Sequence, residues 1–130
     1  MIADTSFVID VMRSNEAAIQ KEQIMEKEGI LISLTAVSIF ELFVGVTLSV
    51  KQKEERKRIV DVLKGLVVLP LDEESAKEAG TIYAEKREAG VNINPEDAMI
   101  AGICRVRNEP VLTRNTKHYT GIDGVRVEPY

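Results

Sequence analysis

Asp97, Glu41 and Asp4 are the side chains best placed to do chemistry, because none has a basic residue close enough along the chain to neutralise it. Asp97 lies in NPEDAMIAGICR, where Ile100 and Ala101 occupy the positions three and four residues on. Glu41 lies between Phe40 and Leu42, and its helical neighbours are Val37, Ser38, Val44 and Gly45. Asp4 follows Met1–Ala3 and precedes Thr5, Ser6 and Phe7. Taking an uncompensated carboxylate out of water costs on the order of several kcal/mol, so each needs a partner from elsewhere in the chain or a metal ion. Carboxylates that share one cleft repel each other unless a divalent cation sits among them. Oxygen-only ligands select hard ions such as Mg²⁺ or Mn²⁺. Such a centre most often serves phosphoryl chemistry, by activating water and clamping the oxygens of an in-line displacement.

The elements that must carry these acids can be read from local pattern. Pro95 suits a first helical turn, Asn94 ahead of it can supply the cap, and Glu96 and Asp97 fall where the helix dipole favours negative charge. Ala98–Cys104 is apolar apart from Gly102, which predicts a helix over 94–105 buried on most of its surface. Ile30–Leu34 has strand length, and SIFELFVGV after it reads as a helix capped by Thr35 or Ser33. Met1–Ala3 reads as a short strand, Thr5–Ser6 as a turn and Phe7 onward as a helix. Asp4 thereby ends a strand, where the ligand crevice of an open parallel sheet lies. It can equally be a plain helix cap. Glu41 likewise has a second reading, as a solvent-facing residue on a narrow polar stripe.

The remaining segments fill in the class. Asn15–Glu28 is a polar helix closed by Gly29, Val67–Leu69 a third strand, and Asp72 the cap of an acid-started helix running to Gly90. KQKEERKR within Val50–Leu66 reads as a solvated helix face with internal pairs. Pro110–Thr113 is a fourth strand and Val125–Glu128 a last one. Between them Arg114, Asn115, Thr116, Lys117 and His118 form a polar loop on the rim where Asp4 falls. His118, the sole histidine, reads as a surface loop residue rather than a ligand. Strands alternating with helices make this an α/β chain with a mainly parallel sheet. Right-handed crossovers bring Asp4 and Thr113 to one rim, with Glu41 and Asp97 leaning over it.

Composition sets the bounds. A chain of 130 residues, 45% hydrophobic and 29% charged, suits one domain, 1–130, with one core. Its net charge of −4 argues against a broad polyanion-binding face and confines any nucleic-acid site to a local basic patch. Cys104 has no partner for an internal disulfide and reads as a small core residue in a reducing compartment. Asp4 and Asp10 interrupt the first apolar run, so neither a signal peptide nor a membrane span is expected and the cytoplasm is the expected location. No zinc-type Cys/His cluster, glycine-rich phosphate loop or serine triad is present.

DTSFVID, SIFELFVGV, LPLDEE, NPEDAMIAG and TRNTKHY, in this order and over essentially the whole chain, resemble the PIN domain, and in particular the VapC toxins of toxin–antitoxin pairs. The resemblance implies a three-layer α/β/α sandwich and a Mg²⁺- or Mn²⁺-dependent endoribonuclease that hydrolyses RNA with metal-activated water. It makes Asp4, Glu41 and Asp97 the catalytic and metal-binding acids and Thr5 the hydroxyl beside the first. It further implies a cognate antitoxin that inserts into the active-site groove, and a homodimer. The family often carries another acid after the fourth strand; Asn115 stands there as a candidate ligand, and His118 where a second aspartate is common. Arg114 and Lys117 are the candidates for steadying the RNA phosphate. Two other classes compete. A non-catalytic PIN-like RNA-binding or assembly module would lack the acids. A phospho-accepting receiver would have adjacent acids after the first strand and a lysine after the last, where Glu128-Pro129-Tyr130 stands.

Overall fold

Alternation along two very short strands divides the molecule into layers. In β1 (Ile2–Ala3), Ile2 faces one apolar cluster and Ala3 the other; in β4 (Val111–Leu112), Val111 and Leu112 divide the same way. Both strands are fully buried, as two-sided burial in a parallel sheet requires. The computed structural model describes residues 1–130. After β1 come α1 (Thr5–Met12), α2 (Glu16–Lys27), β2 (Ser33–Thr35), α3 (Ala36–Leu48), α4 (Gln52–Leu63), β3 (Val67–Leu69), α5 (Glu73–Glu88) and α6 (Pro95–Arg107). β4, a 3₁₀ turn at Thr116–His118 and β5 (Val127–Glu128) complete the chain.

All strand pairs are parallel and the sheet order is β3-β2-β1-β4-β5. α1 to α4 cover one face, around Phe7, Val8, Leu42 and Ile59, while α5 and α6 cover the other, around Ile82, Ile100 and Ile103. The expected three-layer α/β/α sandwich is what forms. Each of the first three connections holds two helices rather than one, and β4 reaches β5 through the 3₁₀ turn alone. The chain runs outward from β1 through β2 to β3 and then returns to the far side of β1. The direction of winding therefore reverses between β1 and β4, and crevices in such sheets open at that point beyond the carboxyl ends.

Local boundaries shift for physical reasons. α1 begins at Thr5 rather than Phe7, because the Asp4 carboxylate accepts the Thr5 N–H and starts the helix two residues early. β2 is Ser33–Thr35, not Ile30–Leu34, since only these residues find partners on β1 and β3. β4 and β5 are similarly trimmed to the residues that pair with each other. Asn94 has the extended backbone of a cap, yet its side chain makes no capping bond to α6.

α6 packs against α5 at very short range. A Cβ on Gly102 would stand 2.6 Å from the Ser75 carbonyl oxygen and 2.8 Å from the Ala79 nitrogen, so only glycine permits this approach. Cys104 is fully buried, and desolvation pushes its thiol up to about 12, which fits the inert core residue expected. No helix is long and apolar enough to cross a membrane.

Candidate active site

Each of the suspected acids reaches the rim by a different route. Asp4 leaves β1 as the cap of α1, so the strand-end and helix-cap readings both hold. Asp97 lies in the first turn of α6, and Glu41 in the second turn of α3, after the Thr35 cap. Thr113 follows β4 directly and donates its hydroxyl to Asp4 Oδ2 at 2.9 Å, which fixes the β1 and β4 ends to each other.

Asp4 is 4% exposed and surrounded by donors. Its Oδ1 accepts the Thr5 N–H at 2.8 Å, and its Oδ2 accepts the Ser6 hydroxyl at 3.1 Å as well as that of Thr113. The buried Tyr119 hydroxyl lies 3.2 Å from Asp4 Oδ1 and 3.3 Å from Asp97 Oδ1. His118 Nδ1 stands 3.0 Å from Asp97 Oδ2. The histidine is exposed on the loop, as its sequence context suggests, and is in addition a partner of the acid. Glu41 is half-buried and accepts the Thr5 hydroxyl at 2.8 Å. That answers the question left open by its sequence: it faces the rim and not solvent alone.

No lysine or arginine neutralises these carboxylates. Burial raises the pKa of Glu41 above its ordinary value, and the charges of Asp4 and Asp97 raise it further against the Thr5 hydrogen bond. Burial likewise raises Asp97, with Asp4 adding to the rise and His118 opposing it. Asp4 raises both of the others, so the acids lie within electrostatic reach of one another. No group of three or more His, Cys, Asp or Glu side chains is gathered closely enough to hold a metal ion as the side chains stand. As they stand, Glu41 accepts from Thr5, Asp4 from Thr5, Ser6 and Thr113, and Asp97 faces His118 and Tyr119. As a donor set, aspartate and glutamate oxygens in a partly desolvated crevice suit a hard divalent cation; assembling the shell needs a change of side-chain rotamer.

The other predicted residues divide. Thr5 lies inside the site, where its hydroxyl is committed to Glu41. Asn115 adjoins it: its backbone N–H donates to Thr113 Oγ1, and its half-buried side chain makes no hydrogen bond. Lys117 is exposed on the 3₁₀ turn. Arg114 is engaged elsewhere, with Nη1 bonded to both Asp10 oxygens at 2.6 and 2.8 Å. Asp10 is buried and also accepts the Tyr130 hydroxyl at 2.9 Å. Sequence reasoning missed this cluster and missed Tyr119. Asp10 read only as a break in an apolar run, although a charge amid Val8, Ile9, Val11 and Met12 is the same signal that singled out Glu41.

From Glu41 a groove of about 150 Å³ runs outward between α1, α3 and α4. Ile9, Met12, Leu42 and Ile59 give it an apolar floor, and Arg13, Arg58 and Glu55 line it as well. On the outer side of α3, Phe40, Val44 and Leu48 are exposed.

Comparison with known proteins gives this geometry a context. The PIN domain family model matches residues 1–121. The tRNA(fMet)-specific endonuclease VapC of Shigella flexneri is 28% identical, over 98% of this chain and 95% of that protein. Among solved structures, the DNA-bound VapBC of Salmonella typhimurium superposes with a TM-score of 0.87 at 25% identity, covering 98% of this chain and 96% of that one. The promoter-DNA-bound VapBC2 of Rickettsia felis superposes with a TM-score of 0.90 at 18% identity, over 99% and 97%, and speaks for the fold alone.

Proposed function

The chain belongs to the PIN-domain family, and from that premise we propose that it is a Mg²⁺- or Mn²⁺-dependent endoribonuclease, the toxin of a toxin–antitoxin pair, formed as one PIN domain over residues 1–130. The observation that supports the reading is that Asp4, Glu41 and Asp97 lie within electrostatic reach of one another near the switch point of the sheet, with no lysine or arginine paired to any of them. The similarity to a tRNA(fMet)-specific endonuclease over nearly the full length of both chains supports RNA as the substrate. The VapBC complexes of the same fold support an antitoxin partner. The cytoplasm, where RNA and antitoxin meet, is the compartment this activity requires.

Asp4, Glu41 and Asp97 would hold the cation, with the Asn115 amide oxygen available as a neutral fourth donor. When bound, the cation supplies Lewis-acid polarisation of the phosphodiester and a water nucleophile at neutral pH. The protein's own groups do the positioning. The Thr5 hydroxyl orients Glu41, the Thr5 N–H with the Ser6 and Thr113 hydroxyls orients Asp4, and His118 orients Asp97. Lys117 is free to meet an RNA phosphate. Arg114 retains Nη2 and Nε for the same purpose, since Asp10 occupies only Nη1. The groove from Glu41 past Arg13 and Arg58 offers a path for an extended chain, RNA or the inserting antitoxin segment. The exposed face of α3 supports protein partners there, the antitoxin and a second copy of the chain.

The test is RNA cleavage by the purified protein with Mg²⁺ or Mn²⁺, with EDTA, and by an Asp97→Asn variant. Cleavage confined to the wild type with a divalent ion is the expected result. RNA binding without cleavage in any divalent ion would overturn the enzyme in favour of a non-catalytic RNA-binding module.

A further inference from the structure

We propose that the hydroxyl of Tyr119 occupies the position between Asp4 and Asp97 that a bridging cation would take, and so sets how tightly the free protein binds a divalent ion. This rests on the metal reading of the same acids.

An ionised carboxylate offers about four lone-pair sites. At Asp4, the Thr5 N–H takes one on Oδ1, and the hydroxyls of Ser6 and Thr113 take both on Oδ2. The one site left is on Oδ1, which has Tyr119 Oη 3.2 Å away. The same phenolic oxygen is 3.3 Å from Asp97 Oδ1. One O–H hydrogen serves one acid at a time, so the lone pairs of the phenol face the other. Tyr119 is therefore a neutral dipole set between two anions, which separates them without neutralising them.

A cation held by both Oδ1 atoms would compete with this hydroxyl for the same lone pairs. The alternative, through Asp4 Oδ2, means detaching Ser6 and Thr113, and Thr113 also holds the Asn115 N–H and the β4 end. Tyr119 is fully buried, packed in the cluster beneath α6, so its ring cannot swing out into water. Its hydroxyl is left to find another partner inside, and cation binding is weakened by that cost. Tyr119 is a positioning residue: it keeps the acids apart and solvated by protein until something of higher charge replaces it.

Tyr119→Phe removes one oxygen and keeps the ring. Mn²⁺ titration by calorimetry on metal-free wild type, Tyr119→Phe, Ser6→Ala and Asp97→Asn tests the idea, with thermal melts in EDTA to establish folding. The expected result is binding about tenfold tighter in Tyr119→Phe than in wild type, a smaller change in Ser6→Ala, and loss in Asp97→Asn. Equal or weaker binding in Tyr119→Phe, with Asp97→Asn still losing the ion, would overturn the role of Tyr119 and leave the acid site standing. Tightening of the same size in Ser6→Ala would also overturn it, because any lost donor would then suffice. No binding by any of the four proteins would overturn both the inference and the metal reading beneath it. Should Tyr119→Phe not fold, the tyrosine difference spectrum of the wild type on adding Mg²⁺ decides: a perturbed phenol supports the displacement, and an unchanged spectrum refutes it.

Discussion

Asp4 caps α1 and Asp10 lies within it, six residues on, and both are buried, at 4% and 3% exposure. Asp10 has the Arg114 guanidinium across both its oxygens and the Tyr130 hydroxyl besides. Asp4 has only neutral donors, two further carboxylates within electrostatic range, and no lysine or arginine. The chain thus knows how to neutralise a buried aspartate and does so at one end of α1 only. A carboxylate matched by arginine closes the structure, whereas one solvated by hydroxyls keeps its charge available to a cation. The function of α1 follows from that asymmetry more than from either acid alone.

The sharpest way to break the contrast is Asp97→Asn. RNA cleavage should fall by at least about a hundredfold, the scale seen when one transition-state-stabilising group is removed, while the circular dichroism spectrum is retained. Wild-type cleavage rates in this variant would end the assignment. Divalent ions offer the next test. Mn²⁺ at a hundredfold above its dissociation constant should add about 2.7 kcal/mol to the unfolding free energy of the wild type. The increment should vanish in Asp97→Asn, and coincident melts in EDTA and Mn²⁺ would count against a site in the free protein.

Breaking the closed end should have the reverse profile. Arg114→Met strands the buried Asp10, and unfolding by urea should show a loss of about 2 kcal/mol. This is less than a fully buried pair would lose, because the Arg114 side chain is 47% exposed. Its effect on cleavage should be far below that of Asp97→Asn; an equal effect would make Arg114 a substrate-binding group first and a structural one second.

The pH dependence should sharpen the same division. Glu41 and Asp97 hold protons more tightly in the folded protein than their ordinary values of 4.5 and 3.8 imply, through burial and like charge. In metal-free protein their contribution to stability therefore declines as pH rises from those values through the folded pKa. Asp72, held low by its bonds from Ser75, acts oppositely: it contributes above 3.8 and loses that contribution as pH falls. In EDTA, Asp97→Asn should gain on the wild type near neutral pH and lose the advantage toward pH ~4, read from urea midpoints. A constant difference across that range would contradict the shift. The smallest effect belongs to Asn115. Asn115→Asp should tighten Mn²⁺ binding several-fold by adding ligand charge, and Asn115→Ala should weaken cleavage much less than Asp97→Asn. No change in Asn115→Asp would make it a loop residue with no share in the site.

Much of this was legible in the residues. Asp4, Glu41 and Asp97 stood out because no neighbour on their own helices could neutralise them, and the sheet winding then placed them on one rim. Asp10 had the same local signature and was missed, because its partner Arg114 lies 104 positions away and only the β1–β4 pairing brings the two together. Tyr119 gave no signal at all, since a tyrosine in a polar loop looks like surface until the loop folds over α6. His118 does lie exposed on that loop, and only its contact with Asp97 gave no local signal. Strand ends were overdrawn wherever apolar residues continued past the last ladder bond, as Ile30–Ile32 do before β2.

Gly102 fixes the separation of α5 and α6 by backbone contact with Ser75 and Ala79, so Asp97 takes its position from main-chain atoms. The outward residues of α5, among them Glu74, Lys77 and Thr81, are then free to drift in sequence without moving the acid at the head of α6. That face can therefore be remodelled to suit a changing neighbour without shifting Asp97, whereas even one methyl group added at Gly102 would push α6 off α5.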